Sequence, residues 1–274
     1  AHVANISVYN LSAAHRSEIL FNQFLKAQPY PVTLRAGYMS QQPRGLNSDP
    51  AFLPIIFDGF ANVAYTERSN SELITRINAV DNGDLTTGKA PGFFEGSGPN
   101  SYTATAGTDF VFMVKKVMGH LTGGVQVGEV RIDPSQLPPP ITKDRPFTGN
   151  VWENLEDLAK DVAHVYIENG TCHMLGQNDV LLESGSIGVL DSASGLLGVP
   201  KYTGATIMAS CVFEPTLKIG AKITLNSQVN QDVNGVCKIV AYTHSGTISG
   251  VTSGSAVSDI TLMKLDTPLG AAQQ

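Results

Sequence analysis

The last third of the chain, from about residue 194 to 265, is a series of short alternating apolar segments separated by turn residues. The alternation predicts strands at 205–213, 220–225, 236–243 and 260–265. Asn234 and Gly235 form a two-residue hairpin signal, and glycine or proline bounds the other segments. Because short turns join antiparallel neighbours, this region is predicted to be a small antiparallel barrel or sandwich.

Composition excludes several classes of protein. Charged residues are only 15% of the chain, while 27 glycines and 15 prolines indicate a globular, turn-rich fold. The net charge is −6, and the longest basic cluster is Lys115 and Lys116, so no nucleic-acid-binding surface is expected. No apolar run is long enough to span a bilayer. The chain begins without Met or a signal-like segment, and we expect earlier residues to precede it.

The first part of the chain is also rich in strand signals. A strand at 6–9 leads to Ser12, which can cap a helix that continues to about residue 25. Three further strands are predicted at 31–38, 55–64 and 73–80, and the proline-containing loop 39–54 is long enough to be a contact arm. Gly59, in the middle of a strand, predicts a bulge or a close backbone approach.

The middle of the chain is mixed. Apolar residues at helical spacing follow Asp109, and Gly119 is a suitable end for that helix. A strand at 125–132 and a stiff proline linker at 134–140 come next. Asn150 and Glu153 resemble a capping box, and the face of this helix is predicted to run through Trp152, Leu155, Leu158, Ala159 and Val162. A hairpin is predicted at 164–175, with its turn at Asn169 and Gly170.

Sequence motifs for catalysis are incomplete. The segment 83–89 fits G-x-x-x-x-G-K, but Ala90 replaces the hydroxyl residue that would bind Mg²⁺, and Pro91 stops the following helix. We interpret it as a glycine-rich loop. No G-x-S-x-G motif is present, so the usual serine-hydrolase elbow is absent.

Histidines and carboxylates were the remaining catalytic candidates. His164 and His173 lie on opposite arms of the predicted hairpin, but Cys172 points away from His173, which disfavours a metal site. Glu153, Glu156 and Asp157 share a helix beside Trp152, yet acidic residues in a first turn are ordinary partners of the helix dipole. We therefore predict no catalytic, cofactor-binding or metal-binding residues, and no cofactor. The histidines are His2, His15, His120, His164, His173 and His244.

Three cysteines, Cys172, Cys211 and Cys237, are widely spaced. The first interpretation is three small buried residues of a protein folded in a reducing cytosol. The alternative is an interchain disulfide in an exposed assembly, and the sequence leaves both open.

Short motifs along the chain resemble the hub proteins of contractile phage tails, called late control protein D in some phages. Near the start, residues 4–12 resemble their strand-to-helix entry, N-x-x-I-x-V-Y-N-L-S. Residues 32–38 and 56–59 resemble the pair V-x-L-x-A-G-Y and I-F-x-G. Residues 77–83 and 147–149 resemble a strand ending in D-G and the central F-x-G unit. In the last third, a G-L-L-G-x-P lead-in and a late H-x-G complete the order.

The resemblance implies an α+β, mostly β fold with two small tail-tube-like antiparallel barrels around a mixed centre. The expected domains are a first barrel at 1–84, a central region at 85–205 with helices near 109–119 and 150–163, and a second barrel at 206–274. It further implies a homotrimer in the virion baseplate, assembled in the host cytoplasm, without catalytic residues. Its partners would be the tail tube or tube initiator, the central spike, the tape measure protein and wedge proteins, with DNA passing transiently.

Two alternatives from other classes stay open at this point. One is a cell-wall hydrolase of a tail tip, and the other is a secreted carbohydrate-binding β protein. Turnover that depends on one histidine or carboxylate would favour the first, and binding to intact polysaccharide would favour the second.

Overall fold

The computed structural model describes residues 2–19, 30–38, 53–81, 100–121, 125–182, 188–247 and 254–265. Strands predominate in these residues, so the predicted mostly β, α+β class is confirmed. The chain divides into two compact units. The first contains Ala1–Arg35, Ile55–Val130 and Pro134–Met174, and the second contains Ala36–Pro54, Arg131–Asp133 and Leu175–Gln274.

The first unit contains a four-stranded antiparallel sheet in the order β1-β4-β3-β2. The helix α1 follows β1, and the Ser12 hydroxyl accepts a hydrogen bond from the His15 amide at 3.3 Å, as predicted for its cap. The predicted continuation of α1 to residue 25 lies outside the described residues. The elements are β1 (Val3–Tyr9), α1 (Ala13–Ile19), β2 (Tyr30–Arg35), β3 (Ile55–Ser69) and β4 (Glu72–Asp81).

The rest of this unit contains two helices and two small sheets. Both predicted caps form, because the side chains of Asp109 and Asn150 accept hydrogen bonds from Phe112 N and Trp152 N. Strand β5 pairs with β7, and a three-stranded sheet has the order β6-β9-β8. The elements are β5 (Asn100–Ala104), α2 (Phe110–Met118), β6 (Gln126–Arg131), β7 (Arg145–Gly149), α3 (Val151–Ala159), β8 (Ala163–Glu168) and β9 (Thr171–Gly176).

The predicted hairpin forms, whereas the preceding helix is shorter than predicted. Asn169 and Gly170 have φ of 47° and 74°, the left-handed pair that a tight hairpin turn requires. Helix α3 ends at Ala159 because Lys160 adopts ψ 130° and Asp161 then adopts φ 65°, and neither conformation continues an α-helix. Val162 therefore lies beyond the helix, and its predicted place on the helix face is wrong.

The second unit is built on a six-stranded sheet in the order β10-β13-β14-β15-β12-β11. The predicted strands of the last third all belong to it. The small residues at 194–200 predict a turn, but residues from 196 onwards form the long outer strand β11, irregular between Leu197 and Lys201. The elements are β10 (Val189–Leu190), β11 (Leu196–Thr203), β12 (Thr206–Val212), β13 (Lys222–Leu225), a 3-10 turn (Gln231–Val233), β14 (Gly235–Gly246) and β15 (Ala256–Lys264).

The two large sheets repeat the same strand order. In chain order, the strands of the first sheet are arranged first-fourth-third-second, as β1-β4-β3-β2. The central four strands of the second sheet are arranged identically, as β12-β15-β14-β13. The third strand of each set has a register shift against the fourth, between Ala61 and Val63 in β3 and between Ile239 and Ala241 in β14. We call these two four-stranded sets the first and second repeats.

The register shift is a common reference point from which each residue of one repeat can be matched to a residue of the other. Ala61 lies opposite Ala79, and Ile239 lies opposite Leu262, so these pairs are equivalent. Counting four residues back along the fourth strand makes Thr75 equivalent to Ser258. Both are fully buried, as are Ala79 and Leu262. The domain bounds 1–84, 85–205 and 206–274 stay a prediction. The sheet that holds the second repeat begins before residue 206, because its strand β10 starts at Val189.

Gly59 confirms the predicted close backbone approach. A Cβ atom at this position would lie 2.2 Å from Val80 O and 2.8 Å from the Cα of Asp81. Both neighbours are backbone atoms of β4, so no side chain can move aside. The equivalent position in the second repeat is Cys237, opposite Lys264, where a side chain fits.

Candidate assembly surface

One face of the first repeat is apolar and packed, and the other is exposed and carries polar residues together with Val3, Tyr9 and Val63, which are 52%, 56% and 44% exposed. On the packed face, Ala61, Ala64 and Ile77 form a buried cluster against Ile6, Ile19 and Val32. On the opposite face, cross-strand neighbours form hydrogen bonds. Asn78 Nδ2 donates to Asn5 Oδ1 at 2.7 Å, and Arg76 donates to Ser7 Oγ at 3.3 Å. We call this surface the first polar face.

Charges on the first polar face are compensated. The Arg76 guanidinium forms an ion pair with the Glu67 carboxylate, and this hydrogen bond raises the pKa of Arg76. Asp58 accepts a hydrogen bond from Thr33 Oγ1 at 2.8 Å. Tyr65 is 49% exposed on this face, opposite Arg76. The face is thus mixed and not strongly basic, and its described residues offer no cluster of unpaired cations to phosphate groups.

The second repeat has an equivalent polar face. Ser210 Oγ donates to the Asp259 carboxylate across β12 and β15, and Thr243 lies opposite Asp259 on β14. These positions match Ser7, Arg76 and Tyr65 of the first repeat. The hydroxyl is retained between the repeats, but the central charge is reversed from arginine to aspartate. We call this surface the second polar face.

A polar pair of one fully buried and one half-buried side chain also occupies the same position in both repeats. Thr66 and Thr75 hydroxyls lie 3.3 Å apart in the first repeat, and His244 Nδ1 lies 2.8 Å from Ser258 Oγ in the second. Both pairs are directly opposite in the sheet register. A buried hydroxyl requires a partner, and each repeat supplies one from the neighbouring strand. The sequence predicts polar or acidic side chains facing a channel without naming their residues, and it does not predict the cross-strand pairs.

The sequence offers four strands as candidates for subunit contacts, at 31–38, 55–64, 219–225 and 236–243, and the structure corrects three of them. Strand β3 lies between β4 and β2, and β14 lies between β13 and β15, so the segments 55–64 and 236–243 have no open edge. The 219–225 segment contains β13, whose outer edge pairs with β10. Of these four candidates, only β2, from the 31–38 segment, lies at the edge of its sheet in the described part of the chain. The contact arm 39–54 lies mostly outside them.

Three of the residues that the sequence offers for catalysis, Glu156, Asp157 and His173, are held by hydrogen bonds or an ion pair to neighbouring residues. Glu156 accepts a hydrogen bond from the Trp152 indole at 2.6 Å, and Asp157 pairs with Arg145 at 2.6 Å on the surface. His173 Nδ1 accepts the Glu129 amide at 3.1 Å, and its ring stacks on Tyr166. In the described part of the chain, no three potential metal-binding residues converge. The glycine-rich 83–89 segment lies outside that part.

The three cysteines are buried thiols. Cys172 and Cys237 have no exposed surface, and Cys211 is 1% exposed. Burial raises the pKa of Cys172 to about 12 and that of Cys211 to about 11. A thiol of this kind is protonated at neutral pH and inaccessible to a partner chain, so the geometry favours the first interpretation over an interchain disulfide. Where the helices are described, none is long and apolar enough to cross a membrane.

Comparisons with known proteins agree with these features. Residues 140–246 match the family model of baseplate hub gp41. A tail protein from Neisseria meningitidis MC58 has a similar fold, with 10% identity, a TM-score of 0.51, and coverage of 77% of this chain and 80% of that one. The 43 kDa tail protein of prophage MuSo2 from Shewanella oneidensis gives 8% identity, a TM-score of 0.52 and 77% coverage of both chains.

The matches cover different parts of the chain. Among curated proteins, none matches the chain significantly. The family model covers the centre and most of the second repeat, whereas the fold similarity extends over three quarters of the chain. The predicted resemblance is confirmed: this chain is similar to the baseplate hub proteins of phage tails, and the matches support a structural role in the tail or baseplate.

Proposed function

We propose that this chain forms the hub ring of a contractile-tail baseplate, joins the tail tube to the central spike, and surrounds the channel for DNA. The observation that carries the proposal is the repeated strand order of β1-β4-β3-β2 and β12-β15-β14-β13. Two equivalent modules per chain let a trimer present six similar units. A threefold spike and a sixfold tube could then share one ring without a symmetry mismatch.

The polar faces are the surfaces that we assign to the channel wall. Each repeat packs one side inwards and leaves a mixed side exposed, where apolar residues such as Val63 and Met208 lie beside hydrogen-bonded polar groups. On this side Arg76 is neutralised by Glu67, and the equivalent residue is Asp259. DNA is retained by clustered lysine and arginine. A wall of neutral and acidic groups lets it pass without tight binding, in keeping with the net charge of −6.

The partners follow from this position in the tail. We propose contacts with the tail tube or its initiator above, with the central spike below, and with the tape measure and wedge proteins, after assembly in the host cytoplasm. Each repeat is a small module in our proposal, closed into a tube-like barrel within the ring. The oligomer is a homotrimer, and the chain is not an enzyme.

The oligomer is tested by sedimentation velocity and mass photometry of the purified chain, alone and with its tube and spike neighbours. The proposal predicts a species of three times the chain mass that joins both neighbours. A chain that stays monomeric in every mixture would contradict the hub ring. Nuclease, peptidase and peptidoglycan-hydrolysis assays should be negative, and turnover lost on mutation of one histidine or carboxylate would favour the tail-tip hydrolase instead.

A further inference from the structure

His244 lies among groups from four segments of the second unit. Its ring packs edge-on against Phe213 with centroids 5.1 Å apart, and lies 5.0 Å from the ring of Tyr242 on its own strand. Ser258 faces it from β15, and Glu214 lies close enough to influence its charge. Tyr38 reaches the same cluster, because its hydroxyl donates to Phe213 O at 2.9 Å.

The hydrogen bonds around Ser258 determine the protonation state and the tautomer of His244. Ser258 Oγ accepts the Glu214 amide at 3.0 Å and lies 2.8 Å from His244 Nδ1. The Ser258 oxygen accepts from the amide, so the Ser258 hydroxyl proton is free to be donated to His244 Nδ1. Nδ1 can accept this proton only when Nδ1 itself carries no hydrogen. His244 is then neutral with its proton on Nε2. This arrangement satisfies the fully buried Ser258 hydroxyl as both donor and acceptor.

Protonation of His244 reverses that bond. A cationic ring carries a hydrogen on Nδ1, so Ser258 Oγ would have to accept it while still accepting the Glu214 amide. The serine proton would then have no acceptor in a buried site, which costs free energy. The serine proton regains an acceptor only if water reaches Ser258 Oγ, and water reaches it when the 213–216 turn, whose Glu214 amide donates to that oxygen, opens.

We propose that His244 is a proton-sensitive latch, which in its neutral form holds the 213–216 turn and the Tyr38 contact, and which loosens both on protonation. The turn is otherwise braced by Thr216, whose amide and hydroxyl both donate to the Glu214 carboxylate. Because Tyr38 contacts the backbone of that turn, loosening the turn frees the chain segment at Tyr38. The inference is independent of the proposed hub function.

The titratable neighbours give the direction of the effect. Burial lowers the pKa of His244 below its usual value, and the Glu214 carboxylate opposes this shift without cancelling it. The other titratable groups of the cluster, Tyr38 and Cys211, have raised pKa values and remain neutral at physiological pH. A histidine with a lowered folded-state pKa binds protons more strongly when unfolded. The second repeat therefore loses stability as pH falls from the unfolded pKa through the folded one.

The first repeat provides a design for the control. Thr66 occupies the position of His244 and pairs with Thr75 without a titratable group. His244→Thr therefore replaces the imidazole with the side chain that the other repeat uses, and retains a cross-strand partner for Ser258. His164→Gln removes an exposed histidine from the other unit and is the matched control.

The test combines histidine NMR with hydrogen exchange of the full chain between about pH 7.5 and 5.0, across the histidine titration range. We expect the Nε2–H tautomer of His244 at neutral pH and a pKa below 6.5. After correction for intrinsic exchange rates, the opening equilibrium constant of the 213–216 amides should rise as the pH is lowered. The total rise should be about tenfold for each unit by which the His244 pKa is lowered. His164→Gln should respond like the wild type, and His244→Thr should not respond.

Three results would overturn the latch. They are an Nδ1–H tautomer at neutral pH, a His244 pKa at or above 6.5, and an acid response that persists in His244→Thr. If His244→Thr does not fold, the tautomer and the titration of the wild-type protein decide the question by themselves.

Discussion

Gly59→Ala is the substitution whose cost follows most directly from the structure. The new Cβ would lie 2.2 Å from Val80 O and 2.8 Å from the Cα of Asp81, both in the backbone of the central strand β4. Real Cβ atoms are not found that close, so β3 and β4 must separate by about 1 Å at this point, and overpacking of this kind costs about 3 kcal/mol. At 1.4 kcal/mol per tenfold change, the unfolding equilibrium of the first repeat shifts about 100-fold.

The assay is native-state hydrogen exchange of the amides in β3 and β4, compared with β14 and β15 in the same sample. Gly188→Ala is the control, because a Cβ there meets no atom within 4 Å and φ is not in the left-handed range. We expect the loss of protection in Gly59→Ala to be confined to the first repeat. Protection within threefold of the wild type would refute the close backbone approach, and an equal loss in both repeats would refute their independence.

Three further substitutions or treatments test other parts of the structure. Gly170→Ala places a Cβ at φ 74° and should destabilise the β8–β9 hairpin by about 1 to 2 kcal/mol, measured by urea unfolding followed by Trp152 fluorescence. Asn150→Ala removes the cap of α3 and should cost about 1 kcal/mol in the same assay, whereas Asn150→Ser should restore most of it. The buried cysteines should be unreactive towards a thiol reagent near pH 8 and all three should react on unfolding; a disulfide-linked dimer would instead support the interchain interpretation.

Local signals in the sequence predicted most of the elements correctly. The caps at Asp109 and Asn150 and the turn at Asn169 depend on a few neighbouring residues, and each forms as predicted. The ends of elements were predicted less well, as Val162 shows, because the non-helical Lys160 and the left-handed Asp161 end the helix before it. Strand β11 was missed because Gly198 and Pro200 resemble turn residues, while its pairing with β12 is a tertiary contact.

The candidate surface was harder to predict than the fold. Arg76 and Asp259 occupy equivalent positions but share no chemistry, so no sequence repeat marks them. Lys238 was missed for a similar reason: it lies between two buried apolar residues, and its ammonium group donates to Gly176 O and Asp179 O at 2.8 and 3.0 Å. Burial lowers the pKa of Lys238. These relations arise from register and from contacts between distant segments, which alternation along one strand does not encode.

The hub account is tested most directly by cryo-electron microscopy of the chain assembled with its tube neighbour. The account predicts a trimeric ring in which the β1–β4 and β12–β15 repeats superimpose and alternate six times around a channel, with Arg76 and Asp259 on the channel side. A ring in which only one repeat faces the channel, or a channel lined by unpaired lysine and arginine, would contradict it.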